Sequence, residues 1–309
     1  MQEIHVHAPA TVANVVCGFD CLGFALAEPF DEMTVRRTDQ PGVRIINRDN
    51  FNLPTEPERN VAGVAAAAML KKARADFGIE IGITKHIMPG SGIGSSAASS
   101  AGALVAVNRL LEDRFSKLEL VDFAMDGEEL ASGSRHADNV APCIFGGFTL
   151  VRSTDPLDIV QLEFPPLWAT IIHPQIEIKT AEARAMLPKD VPLKTAVRQW
   201  GNVGALVAGL AKGDYGLIAS ALEDIIVEPV RKSLIPDFDE VKSSSLEADA
   251  LGGGISGSGP SIFMLSSNPN TAARVEKAMH IVYSQNGIKF NTYISEINYE
   301  GVRVLTGNE

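Results

Sequence analysis

The 309-residue chain is long enough to bury a large core and to form two lobes. Its 45% hydrophobic and 21% charged residues are typical of a soluble globular protein, and its net charge of -11 argues against a general nucleic-acid binder. That charge still permits an anionic substrate, because local basic groups and backbone amides can bind one. Residues 1–11 lack the basic region of a signal peptide, and no run approaches the ~20 apolar residues that span a bilayer. We therefore expect a cytoplasmic protein with no nucleic-acid or membrane partner.

The first half of the chain mixes predicted strands and helices. Alternating apolar positions predict strands at 3–10, 31–38, 42–48 and 79–87. Helical periodicity predicts helices at 61–78, 96–112 and 117–133, and the first of these is expected to stop at Gly78. We interpret 9–26 as a loop between the first two strands, and we expect a turn, a short helix and a strand over 134–151.

The Pro-rich, polar segment 154–168 is the candidate boundary between the lobes, which we place at 1–165 and 166–309. Beyond it, strands are predicted at 168–174 and 288–297, with two more around a glycine turn in 249–266. Helices are predicted at 180–188 (with Thr180 as cap), 195–213, 215–225 and 269–287. The regular alternation of a doubly wound parallel sheet is missing, so the sequence predicts an α+β fold with two lobes.

Three cysteines, Cys17, Cys21 and Cys143, are too few for a disulfide framework to be expected. Cys17 and Cys21 stand four positions apart, which can suggest metal ligation, but no second Cys or His pair supports it at a ligand spacing. We interpret all three as buried free thiols.

The stretch MPGSGIGSSAASSAG at 88–102 contains four glycines and five serines and joins a predicted strand to a predicted helix. Backbone N–H groups of such a loop, together with a helix starting at Ser95 or Ser96, favour binding of an anion, phosphate above all. It is not a P-loop, because Gly94 is followed by Ser95 where that pattern has lysine. A G-x-G-x-x-G match begins at Gly252, but a proline and a strand follow it where that fingerprint needs a helix, so we reject it.

Three motifs carry a family resemblance. PGSGIGSSAA resembles the phosphate loop of the galactokinase, homoserine kinase, mevalonate kinase and phosphomevalonate kinase (GHMP) superfamily, PATVANVVCGFDCLGFAL its N-terminal motif, and GGGISGSGPSIF its C-terminal glycine motif. SGSRHADNVAPCIFGG, TAEARAMLP and EPVRKSLIPDF resemble the homoserine kinase branch in particular. Val12 and Cys17 depart from the serine and proline common in the family, which puts the conformation of that loop in question rather than the activity.

The resemblance implies a two-lobed GHMP-kinase-like fold, with an N-terminal ATP-binding lobe and a C-terminal ferredoxin-like lobe. It implies transfer of the γ-phosphoryl group of ATP, with Mg²⁺, to the side-chain hydroxyl of L-homoserine, as in threonine biosynthesis. The partners are then these small molecules, and a homodimer is possible because dimers are common in the family.

For ATP, the resemblance implies a phosphate site and two further contacts. Asn60 is the candidate for the base; Lys85 is either a nucleotide contact or a solvated strand lysine. Ser96 and Glu128 are the implied metal partners, although Glu128 alone would read as a solvated helix acid. The loop itself has one alternative, a flexible turn with a serine cap. The implied phosphate-binding residues are Pro89, Gly90, Ser91, Gly92, Ile93, Gly94, Ser95 and Ser96.

Catalysis is assigned to Asn139, Glu128 and His136, with substrate binding by a separate set. An amide cannot usefully accept a proton near neutral pH, so Asn139 can only orient groups, and we expect positioning and electrostatics without a protein base. His136 is either a structural or phosphate-side hydrogen bonder or an acid–base group, and Asp138 a local cap. The expected substrate residues are Asn14, Asp20, Thr180, Arg184, Arg231 and Gly257, with both arginines on the carboxylate and Asp20 on the ammonium.

Two alternatives remain open at this point. Another kinase of the superfamily, acting on mevalonate, shikimate or a sugar, would share the phosphate loop, although mevalonate offers no ammonium for Asp20. A catalytically silent ligand sensor on the same scaffold is the other, and the presence of Ser96, Glu128 and Asn139 argues against it.

Overall fold

The computed structural model describes residues 3–305. Its strands are β1 (Glu3–Ala13), β2 (Leu22–Thr38), β3 (Val43–Asn47), β4 (Gly78–Thr84), β5 (Phe148–Thr154), β6 (Leu157–Leu162), β7 (Trp168–Pro174), β8 (Gly252–Ile255), β9 (Ile262–Ser266), β10 (Phe290–Glu296) and β11 (Arg303–Leu305). Its α-helices are α1 (Val61–Ala73), α2 (Ser95–Leu110), α3 (Lys117–Ser132), α4 (Val140–Phe145), α5 (Thr180–Ala185), α6 (Leu193–Lys212), α7 (Tyr215–Ala221), α8 (Glu228–Arg231), α9 (Phe238–Glu247) and α10 (Pro269–Gln285). None of the helices in this range is long and apolar enough to cross a membrane.

The first sheet has seven strands and is built around the long strand β2. β1 runs antiparallel along it, while β5 pairs with its start at Leu22–Phe24 and β4 with its end at Glu32–Thr38. β3 joins β4 in parallel, β6 joins β5, and β11 adds antiparallel to β1. The alanine-rich helix α2 is buried along most of its length between this sheet and helices α1 and α3. Its N-terminus therefore points from the core into the space where β4 ends.

The second sheet has the strand order β10-β7-β9-β8, and all its pairs are antiparallel. In chain order this is a β-α-β-β-α-β arrangement with strand order 4-1-3-2, the ferredoxin-like pattern, with extra helices in the first crossover. Helices α9 and α10 cover it through a separate apolar cluster that contains Phe238, Val275 and Met279. The predicted α+β fold with a ferredoxin-like C-terminal part is confirmed.

Several element boundaries differ from the prediction. The expected loop at 9–26 is only 14–21, because Pro9–Ala13 and Leu22–Leu26 are buried on both faces of β1 and β2, so their period of two is invisible in the sequence. The expected helix 61–78 ends at Ala73, where Arg74 turns left-handed at φ 53°. The proposed boundary segment 154–168 contains β6, which pairs in the first sheet, and β11 returns from the C-terminal part to that same sheet.

Two further details correct the sequence reading. Lys179, not Thr180, occupies the N-cap of α5, and the Thr180 hydroxyl instead lies 3.2 Å from the hydroxyl of Ser258. All three cysteines are free as predicted, but Cys21 is only partly buried.

Candidate active site

A cavity of about 350 Å³ lies where the two sheets meet. Most of the site residues predicted from the sequence line this cavity. Ser91 and Ile93 do not, because they are buried in the glycine loop. The predicted residues that line the cavity are Asn14, Asp20, Asn60, Lys85, Pro89, Gly90, Gly92, Gly94, Ser95, Ser96, Glu128, His136, Asn139, Thr180, Arg184, Arg231 and Gly257.

The glycine loop connects β4 to α2 through three left-handed glycines, Gly90, Gly92 and Gly94, with φ of 76°, 82° and 71°. Gly94 is the N-cap of α2, which begins at Ser95 as predicted, and it supplies no capping side chain. The N–H groups of the first turn are therefore available to an anion at the positive end of the helix dipole. A Cβ on Gly94 would lie 2.0 Å from Oγ1 of Thr11, whereas one on Gly90 would meet no atom within 4 Å.

The C-terminal glycine motif, GGGISGSGPSIF, packs against the glycine loop. The Ser256 hydroxyl donates to the carbonyl of Gly92 at 2.8 Å, and the Ser261 hydroxyl donates to the carbonyl of Ser91 at 2.6 Å. Asn14 Nδ2 donates to the carbonyl of Gly257 at 2.7 Å. These bonds fix the glycine loop against β8 and β9, so the rejected dinucleotide match serves as a turn that packs on the loop.

Lys85 lies beneath the first turn of α2 and is buried. Its ammonium forms a salt bridge with the buried carboxylate of Asp31 and donates to the carbonyl of Ser95 at 2.7 Å and the hydroxyl of Ser99 at 3.0 Å. It is therefore not the solvated strand lysine that the sequence left open, since it ties the start of α2 to β2. Asp31 was not singled out because the two partners lie 54 positions apart.

We expect Lys85→Met to lower the free energy of unfolding by about 3–5 kcal/mol, because it leaves the Asp31 carboxylate buried and unpaired. Urea denaturation followed by circular dichroism measures this. The double variant Lys85→Met/Asp31→Leu should recover part of the loss, since it removes the orphaned charge as well. A single variant within 1 kcal/mol of wild type would show that the pair is not structural.

Two buried carboxyl groups face the cavity from α3 and from the turn before α4. Burial raises the pKa of Glu128 to about 7, against a smaller lowering by a hydrogen bond from the Ser96 hydroxyl, and its Oε1 has no partner. Burial also raises the pKa of Asp138 to about 7, with the nearby charges of Asp20 and Glu128 adding to it. Asn139, rather than Asp138, occupies the N-cap of α4.

The opposite wall carries a cluster of charged groups. Arg184 Nη2 contacts both carboxylate oxygens of Asp20, at 2.8 and 3.0 Å, and lies 3.1 Å from Nε2 of His136. Burial lowers the pKa of His136, Asp20 opposes this, and the two arginines add to it. A neutral imidazole whose Nε2 accepts from Arg184 fits this arrangement, and its Nδ1 then faces Asp20 at 3.8 Å. His136 thus orients the arginine and the aspartate that the sequence assigned to substrate.

Arg231 lies beside Arg184 but does not share its salt bridge with Asp20. Its Nε and Nη1 donate to the carbonyls of Ala183 and Gly257 at 3.2 and 3.3 Å, and it is only 3% exposed. Burial lowers its pKa, and the like charge of Arg184 adds to the effect. Within residues 3–305 no carboxylate forms a salt bridge with it, so its positive charge is available to an anion in the cavity.

Sequence reasoning missed two residues that shape the cavity. The ring of Phe19 lies 5.4 Å from the guanidinium of Arg184 and 5.1 Å from that of Arg231. Thr11 donates its hydroxyl to Oδ1 of Asn139 at 2.8 Å, which leaves the amide nitrogen of Asn139 for another acceptor. Phe19 stands inside the N-terminal motif directly before Asp20, and an aromatic residue beside a charged motif residue was the available signal.

The segment that carries Asn14 has an unusual backbone. Asn14, Val15 and Val16 all have positive φ, at 71°, 35° and 60°, in a region that β-branched residues rarely adopt. Asn14 Oδ1 also accepts from the backbone N–H of Asp20 at 3.0 Å. The strained turn thereby directs the Asn14 and Asp20 side chains into one cavity, as strain at functional sites commonly does.

Comparison with known proteins agrees with this geometry. Residues 60–147 match the profile of the GHMP kinases N terminal domain, and residues 206–285 match that of the GHMP kinases C terminal. The fold is thus that of a GHMP kinase. The chain is 47% identical to the homoserine kinase of Chloroherpeton thalassium, over 99% of this chain and 100% of that one. It superimposes on the crystal structure of homoserine kinase from Cytophaga hutchinsonii with a TM-score of 0.95 and 50% identity, covering 99% of this chain and 98% of that one. The chain belongs to the homoserine kinase family, and the resemblance noted in the sequence is confirmed.

Proposed function

We propose that this protein transfers the γ-phosphoryl group of ATP to the side-chain hydroxyl of L-homoserine and forms O-phospho-L-homoserine. One observation carries the proposal: a single cavity has an anion-binding helix N-terminus on one side and a cluster of Asp20, Arg184 and Arg231 on the other. The first feature suits a triphosphate, and the second suits a free amino acid with two charged ends. Family membership supports both halves.

At the substrate end, Asp20 and Arg184 neutralise each other. A zwitterion can replace this pairing with two new ones, its ammonium against Asp20 and its carboxylate against Arg184 and the unpaired Arg231. We assign Asn14, Thr180 and Gly257 to the same subsite, since all three line the cavity. The bound amino acid then points its hydroxyl toward the glycine loop.

At the nucleotide end, residues 89–96 are proposed to bind the phosphates. Asn60, at the N-cap of α1, is proposed to bind the nucleobase of ATP. Lys85 acts through Ser95, whose carbonyl it holds. The buried, unpartnered Oε1 of Glu128 beside the Ser96 hydroxyl fits a hard cation such as Mg²⁺, which prefers few protein oxygens. When bound there, Mg²⁺ would neutralise phosphate charge.

The transfer needs positioning and charge neutralisation more than it needs a protein base. The hydroxyl oxygen attacks the γ-phosphorus in line as the bond from phosphorus to the β-phosphate oxygen breaks, ADP leaves, and the hydroxyl proton passes to an oxygen of the transferred phosphoryl group. Asn139, fixed by Thr11, can donate a hydrogen bond from its amide N–H to the hydroxyl or to a phosphoryl oxygen, but it cannot accept the hydroxyl proton. We propose that no side chain acts as general base, and that His136 contributes by orienting Arg184 and Asp20.

The lobes and partners complete the proposal. Residues 1–165 would form the nucleotide lobe and 166–309 the second lobe, with β11 returning to the first sheet. We propose that the protein works in the cytoplasm on ATP and L-homoserine.

A coupled ADP-release assay with L-homoserine, mevalonate and shikimate tests the function. Only L-homoserine should support turnover, because mevalonate and shikimate have no ammonium for Asp20. Preferred turnover of either alternative, or no ADP release with any of the three, would contradict the proposal.

The raised pKa of Glu128 predicts how activity depends on pH and Mg²⁺. Since only the carboxylate binds the cation, kcat/KM at limiting Mg²⁺ should fall about tenfold per pH unit below pH 7, and added Mg²⁺ should move this limb to lower pH. In metal-free protein the pKa of Glu128 in the folded state exceeds the ordinary 4.5. The free energy of unfolding should therefore fall as the pH rises from 4.5 to 7, and it should fall less in Glu128→Gln.

Asp138→Asn is the control for this profile, because its carboxyl has the same raised pKa. At saturating Mg²⁺ and substrates its kcat should stay within about tenfold of wild type. A loss of about 1,000-fold together with the acid limb would instead make Asp138 the general base.

Phe19 is expected to set the affinity for the amino acid. Phe19→Leu should raise the KM for L-homoserine by about 5- to 30-fold, because each guanidinium loses a ring interaction of about 0.5–1 kcal/mol, and should leave the KM for ATP unchanged. Phe19→Tyr keeps the ring and should behave as wild type. Steady-state kinetics with each substrate varied in turn measures both KM values. An equal rise of the KM for L-homoserine in Phe19→Leu and Phe19→Tyr would refute the role of the ring.

A further inference from the structure

A buried polar network connects helix α6 to the helix that carries Arg231. Its centre is Gln199, which is polar whereas the other buried residues of α6 are apolar. The Gln199 Nε2 donates to the carbonyl of Cys17 at 3.0 Å and to Oδ1 of Asp224 at 2.9 Å. Its Oε1 accepts from the backbone N–H of Ile225 at 3.2 Å. The amide nitrogen and the amide oxygen of Gln199 are thus both committed to partners.

Asp224 extends the network to the start of α8, the one-turn helix that ends at Arg231. Its two carboxylate oxygens accept from the backbone N–H groups of residues 226–228 at 2.8–3.1 Å. Together, Gln199 and Asp224 therefore bind the four consecutive N–H groups of residues 225–228. A helix of four residues is too short to be stable by itself, so these side chains determine where α8 lies.

The other end of the network lies in the loop at 14–21 that carries Asp20. Cys17 directly follows the three residues of this loop with positive φ, and its carbonyl is held by Gln199. The network therefore joins the loop of Asp20 to the helix of Arg231, although its own two side chains do not line the cavity. An α-amino acid has its ammonium and its carboxylate on one carbon, so it needs a fixed spacing between the two groups that bind them.

We propose that Gln199 and Asp224 are positioning residues of the amino-acid subsite, which hold Arg231 at a fixed distance from Asp20. This inference rests on the proposed function, since that function supplies the zwitterion that spans the two charges. The alternative is that the network only stabilises the fold. Burial of an amide and a carboxylate argues against it, because well-packed apolar side chains stabilise a core as well as buried polar groups do or better.

Gln199→Glu tests the proposal, because the two side chains have the same shape. The new carboxylate oxygen would face the carbonyl of Cys17 and the carboxylate of Asp224, and neither can donate a hydrogen bond to it. This repulsion should displace the start of α8. The KM for L-homoserine should therefore rise about 10- to 100-fold, while the KM for ATP should stay within about threefold of wild type.

Two further variants accompany this measurement. Gln199→Met keeps the length of the side chain without the repulsion, and loss of the hydrogen bonds alone should raise the KM for L-homoserine about 3- to 10-fold. Gln161→Glu is the matched control, since the Gln161 amide on β6 also donates to two carbonyls, those of Phe145 and Gly146, outside the network. It should leave both KM values unchanged.

Crystal structures of wild type and of both Gln199 variants give a readout that does not depend on the substrate. In Gln199→Glu the Arg231 guanidinium should move by about 1 Å or more from the carbonyls of Ala183 and Gly257. A wild type that does not phosphorylate L-homoserine would contradict the proposed function, and these structures would still decide the positioning role. An unmoved Arg231, or variants that melt at lower temperature but keep the wild-type KM for L-homoserine, would overturn the proposal.

Discussion

Gly94→Ala is expected to reduce kcat/KM by at least about 100-fold with either substrate varied. The residue has φ 71°, which costs an L side chain about 1–2 kcal/mol, and its Cβ would lie 2.0 Å from Oγ1 of Thr11. Relief of this clash must move either the loop or Thr11, which fixes Asn139. Either movement displaces the proposed phosphate site or the amide proposed to orient the reacting groups, and a displacement of about 1 Å can cost about 100-fold in rate.

Gly90→Ala is the matched control for that experiment. Gly90 has a similar φ of 76° in the same loop, but its Cβ would meet nothing within 4 Å. It should therefore show only the backbone cost, with kcat/KM within about tenfold of wild type. Circular dichroism and thermal melting verify that both variants fold. Equal losses in the two variants would show that loop strain, rather than the contact with Thr11, governs activity.

Arg231→Leu is expected to raise the KM for L-homoserine by about 100- to 1,000-fold and to leave the KM for ATP within about threefold. Loss of a buried charged hydrogen-bonding partner costs about 3–5 kcal/mol, and Arg231 is the arginine whose charge is not already neutralised by Asp20. The melting temperature should change little, because the variant also removes repulsion against Arg184.

Steady-state kinetics of Arg231→Leu, with each substrate varied in turn, measures the KM for L-homoserine and the KM for ATP separately. Arg274→Leu, which removes an exposed arginine paired with Asp249, controls for the change in net charge and should leave both KM values unchanged. A normal KM for L-homoserine in Arg231→Leu would refute the assignment of Arg231 to the substrate carboxylate.

The glycine loop could be located from the sequence because its signal is local. Strand 79–87, the three glycines and the helix start at Ser95 follow one another without interruption, and the structure has them in that order. The ferredoxin-like lobe followed only from the family resemblance, since no local pattern specifies the strand order 4-1-3-2.

Long-range pairing accounts for what the sequence did not predict. Lys85 looked like a strand lysine because its partner, Asp31, lies on another strand. The return of β11 to β1 joins residues almost 300 positions apart, which no periodicity encodes. Helix α9 was missed because its serines are weak helix formers and Asp237, at its N-cap, makes no capping hydrogen bond.

Soaking crystals with L-homoserine and a non-hydrolysable ATP analogue is the most direct measurement. The β- and γ-phosphates should accept hydrogen bonds from backbone N–H groups of residues 90–96, and the amino-acid carboxylate should contact Arg184 and Arg231. Phosphates bound away from the start of α2, or an amino acid with its carboxylate turned from both guanidiniums, would contradict the account.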